Sequence, residues 1–366
     1  MRRQTRALKA GSLAIGGGAP VSVQSMANAE PHDAAALTAQ VLACAEAGCD
    51  IFRLTIPDLD AASVLAEVRK SSPIPLVADI HFDYRCALAA IAAGVDKLRL
   101  NPGNIGSRDR VQAVARAAKA KRIPIRIGVN LGSLERDLAT DLAAGPRTPE
   151  RIADALAKSA LRHLKLLEDE GFRDVVISAK ASNVPSTLAT YRLLSEKTDC
   201  PLHIGVTEAG TFLPGTVRSA AALGILLDEG IGDTLRVSLT DRPEKEVRVG
   251  IEILRSLGLR EPGPAITSCP TCGRTRADVM RVAAEVEEAL EKLYRAVEDK
   301  ASFPHVAVMG CAVNGPGEAK GADVALCGGV GEFALFVHGE LVRKVPQGEA
   351  VAAVVESVKG ELGHIE

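Results

Sequence analysis

From Pro20 to about Thr240 the chain repeats one unit: a short β-branched run, a polar or glycine turn, then an Ala/Leu-rich stretch of helical periodicity. Eight runs read as strands, over 21–26, 51–56, 75–80, 97–101, 124–130, 174–180, 202–207 and 234–240. Strands that alternate with helices pair in parallel, and eight such units over this length predict an α/β fold of the (β/α)₈ TIM-barrel type. An open doubly wound sheet is the alternative. Parity within the strands favours closure. In Lys97-Leu98-Arg99-Leu100-Asn101 the leucines alternate with polar residues, and Ile125, Ile127 and Val129 alternate with Arg126, Gly128 and Asn130. One face suits a helix layer and the other a barrel axis.

The axis-facing positions are unusually charged. Arg53, Arg99, Arg126, Lys180 and Arg236 stand on five different strands, while Asp79 and Glu208 are the evident counter-charges. Charges inside a barrel are tolerated near its mouth, where they meet a partner, so these side chains are expected to gather at the carboxyl-end face. A single strand arginine is as easily a structural ion pair as a ligand. Five together predict a cationic mouth that takes a polyanion, most economically two phosphates.

At 366 residues the chain exceeds what one core usually organises, and two domains are expected. Hydrophobic residues make up 47% and charged residues 25%, with no Trp and three Tyr, so packing falls on aliphatic side chains. The 44 basic and 46 acidic residues nearly cancel, which excludes the broad basic excess of a nucleic-acid binder. The basic start and the glycine-rich 11–20 stretch lack a signal-peptide core, and no run reaches membrane-spanning length. Eight irregularly spaced cysteines argue for a reducing, cytoplasmic setting and against a disulfide framework.

After a helix at 244–257, the Pro/Gly-rich segment 258–264 reads as a linker, giving a barrel domain over 1–258, a linker over 259–266 and a smaller α+β domain over 267–366. That domain is expected to hold a helix at 276–298, a strand at 306–309, a hairpin over 333–345 and a final helix from about 348. It also carries Cys269-Pro-Thr-Cys272 and, far downstream, Cys311-Ala-Val-Asn-Gly-Pro-Gly-Glu318. Three soft ligands in glycine- and proline-shaped loops suit either structural zinc or an iron–sulfur cluster, with Glu318, Cys327 and His305 as candidates for a fourth position. A thioredoxin-like pair would leave Cys311 without a role. Cys44, Cys49, Cys86 and Cys200 sit in apolar barrel elements and read as core.

Gly16-Gly17-Gly18-Ala19-Pro20, Val23-Gln24-Ser25-Met26, Asp79-Ile-His81-Phe82, Arg99-Leu-Asn101-Pro-Gly-Asn104-Ile-Gly106, Gly128-Val-Asn130-Leu-Gly-Ser133 and the cysteine motifs occur in one order. Together they resemble the 4-hydroxy-3-methylbut-2-enyl diphosphate synthase family nearly end to end; Ala27 departs from the family's usual threonine. The resemblance implies reductive ring opening and dehydration of methylerythritol cyclodiphosphate by two electrons, through a [4Fe-4S] cluster on Cys269, Cys272, Cys311 and Glu318. It implies that Arg53, Arg99, Asn101, Arg126, Asn130, Lys180, Arg236 and Ser238 grip the phosphates, with Asp79 and His81 lining the same mouth. It gives Glu208 the role of proton donor or electrostatic partner for the departing hydroxyl. It further implies a flavodoxin or ferredoxin as electron donor, and a head-to-tail homodimer in which one chain's cluster serves its partner's barrel. A non-redox phosphosugar-type barrel enzyme with a structural zinc site, Lys180 forming a Schiff base, is the competing reading.

Overall fold

The computed structural model describes residues 2–311, 317 and 320–363. It divides into two compact units, Met1–Arg260 and Glu261–Glu366.

In the first unit a short antiparallel hairpin, β1 (Leu8–Ala10) and β2 (Leu13–Ile15), precedes the repeat. Eight parallel strands follow: β3 (Ser22–Met26), β4 (Ile51–Thr55), β5 (Leu76–Asp79), β6 (Lys97–Leu100), β7 (Ile125–Asn130), β8 (Val175–Lys180), β9 (His203–Ile204) and β10 (Thr234–Leu235). Their order is β8-β7-β6-β5-β4-β3-β10-β9, and a parallel bridge between Ile177 and Leu202 joins the two ends into a barrel. The expected fold class holds. The last two strands are shorter than their apolar runs, 202–207 and 234–240, suggest. A Cβ on Gly205 would lie 2.5 Å from the Arg236 carbonyl, and beyond Ile204 the pairing continues through separate hydrogen bonds, Arg236 N–H to Ile204 O and Thr207 N–H to Ala181 O.

Helices α1 (Ala34–Glu46), α2 (Leu59–Ser71), α3 (Tyr84–Ala92), α4 (Arg108–Lys121), α5 (Arg136–Ala143), α6 (Pro149–Glu168), α7 (Val184–Lys197), α8 (Phe212–Asp228) and α9 (Pro243–Ser256) alternate with the strands, α5 being an extra one in the connection after β7. Asp33, Asp58, Asp83, Thr148 and Asn183 each accept a backbone N–H at the start of the helix they precede, fixing where the chain turns from strand to helix. The outward strand residues Phe52, Leu54, Leu98, Leu100, Ile125, Ile127, Val175 and Ile177 pack into one core with the helices. Leu8, Ala10 and Ile15 of the hairpin instead join Ile51, Val77 and Val176, which are inward residues at the amino ends of their strands. The hairpin therefore plugs the barrel floor, and the inward residues farther along each strand are left to form the mouth. Gly11 makes the hairpin turn at φ 59°, a left-handed geometry that favours glycine.

The second unit is a five-stranded mixed sheet in the order β11 (Ile266–Ser268), β12 (Val306–Met309), β13 (Val324–Gly328), β14 (Glu332–Val337) and β15 (Glu340–Pro346). The first three are parallel and the last three antiparallel. Helices α10 (Val279–Ala296) and α11 (Ala350–Gly363) bury one face around Val282, Val286, Leu326, Phe333 and Val354. Among the described residues no helix is long and apolar enough to cross a membrane.

Candidate active site

The strand alternation sends Arg53, Asp79 and Lys180 toward the barrel axis with Ile51, Val77 and Val176, the register carries that face to Lys97, Arg99 and Arg126, and Arg236 alternates with the outward Leu235 and Val237. Asp79 is the central anion. It lies in register with Arg99, whose Nη1 donates to Oδ1 at 2.9 Å, and Arg53 Nε stands 3.6 Å from Oδ2. Burial acts to raise the Asp79 pKa, but Arg53 and Arg99, helped by His81 and Arg126, overcome it and hold it at about 2.

Arg99 is also held by the neighbouring strand β7. Its Nη2 donates to the Gly128 carbonyl at 2.6 Å, and Asn101 Oδ1 accepts the Gly128 N–H at 2.9 Å. A Cβ on Gly128 would lie 2.3 Å from Arg99 Nε, so only glycine lets the guanidinium occupy this place. Gly128→Ala is therefore expected to displace Arg99 and weaken binding of inorganic diphosphate by roughly 10- to 100-fold, the loss of one charge-assisted contact. Titration calorimetry on a variant that still melts cooperatively checks this.

Arg236 has a carboxylate partner of its own. Its Nε and Nη2 donate to Glu246 on the first turn of α9, at 3.2 and 3.1 Å, and Glu246 also accepts from Ser25 Oγ. Asp79 and Glu208 are thus not the full set of counter-charges; Glu246 reaches the strand from a helix, which strand parity does not reveal. Both Arg53 and Arg236 point N–H groups at the Met26 sulfur.

The remaining cations are less compensated. Arg126 is 1% exposed with Nε and Nη2 unpartnered, and Lys97, fully buried, has an unpartnered Nζ. Burial, then neighbouring arginines, pushes Lys97, Arg126 and Lys180 well below their ordinary pKa values. The same causes bring Arg53 to about 10. Lys97 was absent from the expected set, although it shares the parity of Arg99. Buried groups this repulsive are stabilised by an anion, which removes the repulsion and supplies the missing acceptors.

Above this layer opens a cavity of about 380 Å³, lined by residues that include His81, Arg99, Asn101, Asn104, Asn130, Ser133, Ser182, Thr207 and Glu208. Of the expected residues, His81, Arg99, Asn101, Asn130 and Glu208 line it directly. Arg53, Asp79, Arg126 and Lys180 belong to the buried charge layer, with Lys180 in register with Asn130. Ser238 is half-buried beyond the end of β10 and is not among the cavity residues. Asn104, Ser133 and Ser182 are additional cavity residues that lie in turns and loops, beyond the reach of strand parity, while Thr207 closes the expected strand 202–207 on its inward parity. Glu208 is exposed and holds φ 52°, a left-handed conformation uncommon for glutamate.

In the second unit the parallel pairing of β11 with β12 puts Ser268 beside Val308, so Cys269 and Cys311 leave the carboxyl ends of adjacent strands. The 269–276 loop is tied back to β12: Cys269 N–H donates to Val308 O and Arg276 N–H to Gly310 O. Thr271 turns the Cys-x-x-Cys segment at φ 66°, and Cys272 N–H donates to Thr275 Oγ1. Of the other candidates for a fourth position, His305 has its ring nitrogens engaged by Thr267 Oγ1 and Gly321 O, and Cys327 is buried in β13 in register with Met309, where burial and then Cys311 push its thiol up to about 11. Glu318 lies outside the described residues, and among those described no three His, Cys, Asp or Glu side chains converge on one point. The donor chemistry nevertheless fits an iron–sulfur cluster, with soft thiols carried on two neighbouring loops that the backbone laces together.

These features define a parallel βα-barrel with a buried cationic mouth, joined in sequence to a smaller domain that carries a cysteine motif of the iron–sulfur type. Residues 5–251 match the GcpE TIM-barrel domain and residues 265–360 the GcpE protein C-terminal domain, and the chain belongs to this family. It is 54% identical over 344 residues to a protein of Maridesulfovibrio salexigens, covering 94% of this chain and 92% of the relative. It is 52% identical to one of Symbiobacterium thermophilum (100% and 95% covered) and 50% identical to one of Geobacter sulfurreducens (98% of each). All three relatives are named 4-hydroxy-3-methylbut-2-en-1-yl diphosphate synthase (flavodoxin).

Proposed function

We infer that the chain is a 4-hydroxy-3-methylbut-2-enyl diphosphate synthase, converting methylerythritol cyclodiphosphate to the open-chain diphosphate. In this reaction the carbon–oxygen bond to the ring phosphate breaks, one hydroxyl leaves as water, and two electrons are taken up with the protons that water requires. The observation that carries the reading is the cation layer of Arg53, Lys97, Arg99, Arg126, Lys180 and Arg236, set against Asp79 and Glu246. A diphosphate matches that excess of charge and of buried donors.

Arg99, Arg126 and Lys180 bind phosphate oxygens, and Asn101 and Asn130 orient them from the cavity wall. Asp79 pairs with both Arg53 and Arg99 and offsets their mutual repulsion. Arg236, steadied by Glu246, and Ser238 complete the phosphate grip. His81, beside Asp79 at 3.9 Å, borders the reacting end, and Glu208 at the cavity rim supplies the proton or electrostatic partner for the departing hydroxyl. Cys269, Cys272, Cys311 and Glu318 would hold a [4Fe-4S] cluster, which when bound supplies single electrons to the reaction. The electron donor is a flavodoxin or ferredoxin, and the setting is cytoplasmic.

Iron and acid-labile sulfide measured on protein isolated without oxygen separate this reading from the zinc alternative. About four iron and four sulfide per chain are expected for one cubane cluster, and Cys272→Ser is expected to lose most of both while the barrel still binds diphosphate. A colourless, zinc-loaded chain would contradict the reading.

We further propose a homodimer in which the cysteines of one subunit serve the barrel of the other. Mixing Arg126→Met with Cys311→Ser chains under subunit exchange should then recover roughly a quarter of wild-type turnover, since half the dimers are mixed and each has one intact pairing. Sites built within a single chain would recover none.

A further inference from the structure

The cavity wall rests on a buried histidine that the proposed chemistry does not use. His163 lies on α6, 1% exposed, and its Nδ1 accepts the Gly103 N–H at 3.0 Å. Gly103 belongs to the 3₁₀ turn Pro102–Asn104, flanked by the cavity residues Asn101 and Asn104. The contact is close on both sides. A Cβ on Gly103 would stand 2.6 Å from His163 Cε1, so the turn sits directly on the ring. From this turn the connections run inward: Asn101 accepts the Gly128 N–H, and the Gly128 carbonyl accepts from Arg99.

The other ring nitrogen faces Glu135. His163 Nε2 is 3.9 Å from Glu135 Oε1, beyond hydrogen-bond range, and neither Nε2 nor Glu135 Oε2 has a partner. Glu135 immediately precedes α5 and follows the cavity-lining Leu131–Ser133 turn. The imidazole therefore stands between the two loops that carry Asn101, Asn104, Asn130 and Ser133.

We infer that His163 is a positioning residue for the substrate: a neutral ring, bare at Nδ1 and protonated at Nε2, holds the 102–104 turn where the cavity needs it. This inference rests on the assignment of the mouth as the cyclodiphosphate site. The required tautomer follows from the hydrogen bond itself, because an N–H can be accepted only by a nitrogen with a free lone pair. Imidazolium would present N–H to N–H and expel the turn. The charged groups acting on the ring are Glu135 ahead of α5 and Arg162 beside it on α6; burial, the largest influence, keeps the ring neutral and its pKa below the ordinary histidine value. As pH falls through that pKa the turn should be released and anion affinity lost. Simple electrostatics predicts the opposite sign, since a new positive charge near the mouth would favour an anion.

The test compares cluster-loaded wild type, His163→Asn and His163→Leu, using calorimetric binding of inorganic diphosphate and the KM and kcat for the cyclodiphosphate. Asparagine Oδ1 can replace Nδ1 as acceptor but does not titrate, whereas leucine strands the Gly103 N–H. At about pH 7.5 the asparagine variant should bind diphosphate within about threefold of wild type, and the leucine variant at least about tenfold more weakly, with KM raised and kcat little changed. The ratio of wild-type to asparagine-variant affinity should fall as the pH is lowered through the depressed pKa of the ring; protonation of the probe cancels in that ratio. Leucine binding equal to wild type, or a ratio flat with pH, overturns the inference. Should the leucine variant not fold, the pH ratio of the asparagine variant decides alone. Wild-type protein that binds diphosphate but never turns over the cyclodiphosphate would count against the functional assignment, leaving the binding comparison to judge His163 separately.

Discussion

Arg126→Met should abolish turnover while leaving the ligand-free protein as stable as wild type, or more so. Arg126 is enclosed in the barrel with Nε and Nη2 unpartnered and with Arg53 and Arg99 among the charges acting on it. Exchanging it for an apolar chain of similar length removes an unsatisfied buried cation, a change that is often neutral or stabilising. With bound substrate the balance reverses, because those same groups are the donors a phosphate needs. Two charge-assisted bonds at about 1.5–3 kcal/mol each correspond to a loss of at least roughly 100-fold in affinity. Thermal melting without ligand and calorimetry with diphosphate separate the two effects. A variant that melts much earlier yet binds normally would show that Arg126 is structural.

Asp79→Asn should behave in the opposite way, destabilising the ligand-free protein strongly. Asp79 is 2% exposed and neutralises Arg53 and Arg99. Removing one partner of a buried pair costs about 3–5 kcal/mol, because the other charge is left uncompensated. Added diphosphate should restore much of the lost melting temperature, since it supplies the missing negative charge. The pH dependence has a definite sign. The Asp79 pKa is depressed from the usual carboxylate range to about 2, so its contribution is fully present above about pH 4 and is lost as the pH falls through about 2. At roughly 1.4 kcal/mol per unit, that contribution is on the order of 2 kcal/mol, and the asparagine variant should lack this part of the acid transition.

Much of the barrel was legible because alternation and the βα rhythm are local properties. The starts of β4 at Ile51, β6 at Lys97 and β12 at Val306 coincide with their expected positions. The β1–β2 hairpin was not legible: Leu8–Ala10 and Leu13–Ile15 are too short to show a period, and their role comes from packing on residues of three other strands. The strand β13 was missed for a related reason, as Val324–Gly328 is a continuous apolar run without alternation, buried on both sheet faces. At the mouth, parity exposed the cations but not what balances them. Glu246 approaches Arg236 from α9, and His163 braces the 102–104 turn from α6. Such pairings depend on how helices settle on the barrel, which a strand pattern does not encode. Lys97 is a different case, since its parity with Arg99 was visible in the sequence and its burial beneath the mouth was the unseen part.

The decisive measurement is product formation by cluster-replete protein, reduced with a flavodoxin system or dithionite and given methylerythritol cyclodiphosphate without oxygen. If the cationic mouth and the three thiols serve one reaction, mass spectrometry will find 4-hydroxy-3-methylbut-2-enyl diphosphate, in amounts that scale with electrons supplied and vanish in Arg126→Met. Reduced, cluster-loaded protein that binds the cyclodiphosphate and returns it unchanged would contradict the account.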